Sequence, residues 1–194
     1  MIFDSSALDL LFNNARTANG FIAKPVPVEL LRQAYDLAKM APTSMNTQPA
    51  RYVFLTTPEA KARLAPALSG GNLEKTMQAP VTVIVATDTR FFENMPLVWH
   101  DQGAKAMFEG NPAMTTATAT RNGTLSGGYF ILAARAVGLD VGPMSGFDIP
   151  KVNAEFFPDG RYQANFLINL GYADHSKEFD RNPRLTFEQA ADVL

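Results

Sequence analysis

Five short polar side chains, Thr43, Ser44, Asn46, Thr47 and Gln48, fall within six residues between Pro42 and Pro49. Hydroxyls and amides at that density can read the carbonyls and N–H groups of a flat polar ring. The same residue types also satisfy orphan backbone groups in any helix–strand connection. Two further loops, SGGN (Ser69–Asn72) and GPMSGFD (Gly142–Asp148), supply glycines beside which a ligand can approach the backbone closely. Separated cations accompany the loops: Arg16, Lys75, Arg181 and Arg184. Arginines grip phosphate by paired charge-assisted hydrogen bonds, although each taken alone is an ordinary surface charge. Arg16 would equally suit the last carbonyls of a first helix. As a set, the loops and cations suit an organic cofactor with a phosphate and a flat polar ring.

Other chemistries find little support. There is no cysteine, which excludes thiolate nucleophiles, disulfides, iron–sulfur ligation and cysteine-based zinc sites. His100 and His175 stand far apart without HExxH spacing, and no metal is expected. SGGN lacks the Gly-Lys-Ser/Thr ending of a phosphate-binding P-loop, and no G-x-G-x-x-G follows a strand. Ser145 is a poor nucleophile elbow, because Gly142 lies three residues upstream instead of two. The net charge of −2 gives no electrostatic footprint for nucleic acid or an anionic membrane. The apolar run Val81–Ala86 is too short to span a bilayer, and the acidic start MIFDSSALDLL lacks the basic region of a secretory leader. A cytoplasmic protein is expected.

These residues need elements to position them. At 194 residues and 46% hydrophobic, one domain (1–194) with a substantial core is expected. Ser5 or Ser6 caps a first helix carrying Leu8, Leu11, Phe12 and Ala15, which ends at Asn19-Gly20. Helical spacing predicts a second helix over Val28–Ala41, stopped by Pro42, then a strand over Arg51–Thr56. A third helix runs from Pro58 to Leu68, SGGN breaks the chain before a short helical turn, and Val81–Thr87 reads as a buried strand. Thr89–Ala119 is rich in aromatics and methionine without firm period, either a cover over a site or an irregular piece of core. Helix is expected over Thr120–Val137, with Ser126, Gly127 and Gly128 permitting close packing. A brief strand at Leu139–Val141, a helix at Ile149–Phe156 and a strand at Ala164–Tyr172 follow, and the charged tail is loop-like. This order is compatible with a mixed α/β or an α+β layered fold.

Over nearly its whole length the chain resembles the flavin-dependent nitroreductase family. The likeness runs through Arg16-Thr17, Pro42-Thr43-Ser44-x-Asn46-x-Gln48-Pro49, Pro143-x-Ser145-Gly146-Phe147-Asp148, Leu170-Gly171-Tyr172 and Arg181-x-Pro183. Within that family it is most similar to the malonic semialdehyde reductases of bacterial uracil degradation, on ARTANG, APTSMNTQPAR, SGGNLEKT, GPMSGFD and NPRL. The resemblance implies an α+β layered fold, with a mostly antiparallel central sheet flanked by helices, in an intertwined homodimer binding FMN at the subunit interface. It implies that Arg16, Thr17, Arg181 and Arg184 hold the phosphate. Pro42, Thr43, Ser44 and Asn46 would line the ring from one side, with Pro143, Met144, Ser145 and Gly146 along the other. Asn72 and Lys75 would face the O2/N1 edge. The flavin would carry the chemistry with NADH or NADPH as hydride donor, so no catalytic protein residue is expected.

Two departures from the family pattern stand out: Asn19-Gly20 replaces a further basic residue, and Ala50 replaces an aromatic one. Arg51 and Arg121 are candidates for a substrate carboxylate. The activity implied is reduction of malonic semialdehyde to 3-hydroxypropanoate. A nitroaromatic or quinone reductase with the same site, and a flavin-binding protein without turnover, are the alternatives.

Overall fold

The computed structural model describes residues 4–194; Met1–Phe3, which open the acidic N-terminal stretch, lie outside the described residues. Helix α1 (Ser5–Leu8) runs into a π-helical turn, Asp9–Asn13. Its cap is Asp4, whose Oδ1 accepts from the Ala7 N–H at 2.9 Å, in place of the expected Ser5 or Ser6. A carboxylate accepts more strongly than a hydroxyl at a helix N-terminus. Helix α2 (Val28–Ala38) ends three residues before the expected boundary, because Met40 and Ala41 close the chain with tighter bonds to Leu37 and Ala38.

Strand β1 (Ala50–Leu55) precedes α3 (Pro58–Leu64), which Thr57 caps and a 3-10 turn at Ala65–Ala67 extends. Helix α4 (Gly70–Gln78) begins inside SGGN, which is therefore a helix start and not the expected break. After β2 (Val81–Asp88) come α5 (Met95–Val98), α6 (Ala104–Glu109) and α7 (Pro112–Ala136). Helix α7 begins eight residues before the expected start. Asn111 Oδ1 accepts from the Met114 N–H, and Pro112 occupies the first helical position, where its missing N–H costs nothing. Strand β3 (Asp140–Met144), α8 (Ile149–Phe156), β4 (Tyr162–Gly171) and a short α9 (Phe187–Ala190) complete the chain. Gly142–Met144 thus belong to a strand, and only Ser145–Asp148 of the expected glycine loop is loop.

The sheet runs β1-β2-β4-β3, each neighbour antiparallel. Thr17 forms a parallel bridge to Val141, so the chain after α1 extends the β3 edge. Every residue of β2 is buried, since helices cover both faces. Val81, Val83, Val85, Ile168 and Leu170 pack against Leu31, Ala34, Phe130 and Ala134 of α2 and α7. On the other face Ile84, Ala86 and Leu167 meet Leu64 of α3 and Val152 of α8.

Helix α7 lies close to the sheet through Gly123 and Gly127. A Cβ on Gly127 would fall 2.5 Å from the Phe166 ring, and one on Gly123 would fall 2.7 Å from Thr87 Oγ1. Gly128, expected to share this role, is exposed and Gly123 takes its place. The segment between β2 and α7, together with the first turns of α7, holds a small core of its own, Phe91, Met95, Ala104, Phe108 and Ala119, against which Met45, Trp99 and Met114 pack. It is a satellite core seated on the Thr43–Asn46 loop.

Candidate functional site

The π-helical turn leaves carbonyls facing the β3 edge, and arginines gather on them. Arg181 donates through Nη2 to Phe12 O, Asn13 O and Ala15 O at 3.0, 2.8 and 2.8 Å. Arg16 donates through Nη1 to Asn13 O at 3.3 Å and Ala15 O at 3.1 Å, so it does meet the end of the first helix. With Thr17 and Arg184 these side chains line a groove of about 460 Å³. Among the described residues, none of Arg16, Arg181 and Arg184 forms a salt bridge. Arg135, from the last turn of α7, lines the same groove and was not among the expected site residues.

A second groove, of about 430 Å³, holds Lys75 on α4 and shares Asn19 and Phe179 with the first. Lys75 makes no ion pair among the described residues. Beside it, three donors converge on the Gly146 carbonyl: Asn72 Nδ2 at 2.8 Å, Ser69 Oγ at 2.7 Å and the Ser69 N–H at 3.2 Å. A Cβ on Gly146 would lie 2.7 Å from Asn72 Nδ2, so this approach needs glycine.

Pro143 and Met144 pair with Ile168 and Leu167 in the sheet, and the Met144 side chain is buried in the core. Met144 can therefore serve a ring face only through its backbone at the strand end. Its sulfur closes a buried chain of polar contacts. Thr82 Oγ1 donates to Asn169 Oδ1 at 2.8 Å, Asn169 Nδ2 to Thr76 Oγ1 at 3.1 Å, and Thr76 Oγ1 to Met144 Sδ at 3.7 Å. This chain ties α4, next to Lys75, to β2, β4 and β3.

The Thr43–Asn46 loop lies elsewhere. The Ser44 N–H donates to Asn122 Oδ1 on α7 at 2.8 Å, and Asn46 Nδ2 donates to Val98 O at 2.9 Å. Met45, Asn46 and Gln48 all have positive φ, a left-handed conformation that costs free energy in non-glycine residues. Ser44 is tied to Asn122 and the arginine groove to Arg135. Thirteen residues of α7 separate these two, about 20 Å at helical rise. The expected residues therefore form two sets: Arg16, Thr17, Asn72, Lys75, Ser145, Gly146, Arg181 and Arg184 near the β3 edge, and Pro42, Thr43, Ser44 and Asn46 before the β1 edge.

Arg51 is not a free cation. Its Nη2 pairs with the fully buried Asp88 at 2.7 Å, and its Nη1 donates to the Gln48 and Ala50 carbonyls. Arg161 joins Asp88 at 3.3 Å and Glu93 at 2.9 Å, which clips the satellite core to the sheet. The hydrogen bond to Asp88 raises Arg161 above the usual arginine range. As a substrate-carboxylate partner Arg51 is corrected, because a buried carboxylate already claims it. Arg121 is exposed and makes no ion pair among the described residues. Among the described residues no group of three or more His, Asp or Glu could hold a metal ion, and no helix is long and apolar enough to cross a membrane.

A profile described as the nitroreductase family matches residues 14–172. A protein of Stenotrophomonas maltophilia (strain R551-3), provisionally named an NADH dehydrogenase/NAD(P)H nitroreductase, is 55% identical over 98% of this chain and 97% of its own. One of Ralstonia nicotianae with the same provisional name is 53% identical over 98% of each. Among solved structures, a provisionally named nitroreductase of Bacillus subtilis superposes with a TM-score of 0.86 at 22% identity, covering 98% of this chain and 100% of that one. Another, from Exiguobacterium sibiricum and in complex with FMN, gives 0.85 at 20% identity over 100% and 99%. At such identities these structures establish the fold.

Proposed function

The chain belongs to the nitroreductase family, and from that premise we propose that it is an FMN-dependent NAD(P)H oxidoreductase. One observation carries the reading: a groove lined by several guanidinium groups, with Asp180 but with no carboxylate ion-paired to Arg16, Arg181 or Arg184 among the described residues, shares Asn19 and Phe179 with a groove holding Lys75. A phosphate needs the first and a polar ring the second. In this reading Arg16, Thr17, Arg181 and Arg184 hold the phosphate by charge-assisted hydrogen bonds. Asn72 orients the ring edge, and Lys75 brings an unpaired cation to the side where negative charge gathers on reduction. Ser145, Gly146 and the backbone at Pro143 and Met144 run along one face. When bound, FMN would supply the two-electron chemistry between NADH or NADPH and an acceptor.

The Thr43–Asn46 loop is anchored about 20 Å along α7 from the arginine groove, and in this reading it serves a ring bound to a second copy of the chain. That separation supports a homodimer in which Pro42, Thr43, Ser44 and Asn46 serve the partner's cofactor. Exposed apolar side chains on and near the α2–α7 layer, Leu37, Met40, Leu125 and Tyr129, offer it a surface.

The acceptor we propose is malonic semialdehyde, reduced to 3-hydroxypropanoate. Its support is the run of motifs from ARTANG to NPRL, together with Ala50, which leaves room beside the loop. With Arg51 engaged by Asp88, Arg121 is the remaining candidate for the substrate carboxylate. The names of the relatives favour a second reading, a broad reductase of nitroaromatics or quinones. The visible spectrum of the purified protein, followed by release and identification of the flavin, tests the cofactor: FMN is expected, and a colourless protein that takes up no FMN would end the proposal. Steady-state rates with malonic semialdehyde against a nitroaromatic and a quinone then choose the acceptor, comparable efficiencies favouring the broad reductase. A flavin-loaded protein that oxidises neither NADH nor NADPH with any acceptor would be a binding protein only.

A further inference from the structure

We propose that Arg135, in the last turn of α7, is a further guanidinium of the phosphate pocket; the assignment rests on the FMN reading above. Arg135 lines the groove with Arg16, Arg181 and Arg184, yet it is carried by the long helix and not by a segment near a chain terminus. It is half-buried. Its hydrogen bonds are long, from Nη1 to Leu11 O at 3.4 Å and from Nη2 to Arg16 O at 3.5 Å, near the limit at which such a contact has value. It forms no salt bridge among the described residues. Two charged neighbours act on it through space, Asp140 favourably and Arg181 unfavourably.

A half-buried cation facing a second cation, with poorly used donors, is costly unless a counter-charge completes the site. Burial is the main cause that pulls Arg135 below the ordinary arginine range, only partly offset by Asp140. A dianionic phosphate monoester supplies what is missing: two charges, and several acceptor oxygens for a planar fork. The anion would then be gripped from three parts of the chain, by Arg16, by the arginines of the tail and by Arg135 of α7.

Titrating flavin-free protein with FMN and with riboflavin, which lacks the phosphate, tests the assignment through quenching of flavin fluorescence. Wild type is expected to prefer FMN. Arg135→Met is expected to lose about ten- to a hundredfold in FMN affinity, as for a charge-assisted hydrogen bond, and to leave riboflavin unchanged. Should the methionine variant fail to fold, Arg135→Gln carries the test, since its amide can still donate to the Leu11 or Arg16 carbonyl; the same fall in the FMN-to-riboflavin ratio is expected. A ratio equal to that of wild type overturns the role of Arg135. A wild-type protein that does not distinguish FMN from riboflavin overturns the phosphate reading itself, and this assignment with it.

Discussion

Arg16 illustrates how one side chain can serve two ends. Its Nη1 satisfies the carbonyls of Asn13 and Ala15, and the rest of its fork lies in the groove with Arg181. Arg16→Ala is therefore expected to cost about ten- to a hundredfold in FMN affinity, the value of a charge-assisted hydrogen bond. Dialysis followed by the visible spectrum reads it, and undiminished flavin content would remove Arg16 from the phosphate site. Family motifs, and not residue type alone, singled out Arg16, Arg181 and Lys75 as candidates in the sequence. Arg135 was not singled out, because a lone cation in the last turn of an apolar helix already has an explanation in the helix dipole. Arg51 was misread for the converse reason: its partner Asp88 lies 37 positions later and is brought close only by the pairing of β1 with β2.

Among the elements, α7 and α4 set the geometry of the site. Gly127 lets α7 lie against Phe166 and Val85, so Gly127→Ala overpacks the contact and is expected to lower stability by about 1–3 kcal/mol. Urea unfolding with an unchanged midpoint would show that the helix can shift freely. The Thr82–Asn169–Thr76–Met144 chain fixes α4 to the sheet from within the core. Asn169→Leu leaves the Thr76 and Thr82 hydroxyls buried without that partner, a loss of about 1–3 kcal/mol for each unsatisfied group. Chemical denaturation should register it as a lower midpoint, and a midpoint at or above that of wild type would contradict a supporting role.

Strands β2 and β4 and helices α2 and α8 were legible because their apolar spacing or density is strong. The starts of α4 and α7 were not. Two glycines masked the first, and a threonine-rich turn masked the second, although Asn111-Pro112 is a start signal in its own right.

At the scale of the whole molecule, two-sided burial of β2 explains why helices cover both faces of the sheet, whereas the strand order β1-β2-β4-β3 comes from long-range pairing that no local pattern records. The family motifs group the residues of the proposed site without indicating that about 20 Å, by helical rise along α7, lies between the Ser44 anchor and the arginine groove. That span has a consequence for inheritance. If each cofactor is held by the arginines of one copy and the Ser44 loop of the other, two different lesions need not add. Arg16→Ala and Ser44→Tyr should each empty both sites of a dimer made of one kind of subunit. Co-expressed with two affinity tags and purified as a mixed pair, the same subunits should retain about half the flavin of wild type, since one site inherits both lesions and the other neither. A mixed pair as empty as its parents would return every contact to a single chain. Half recovery would mean that two differently broken alleles restore one another.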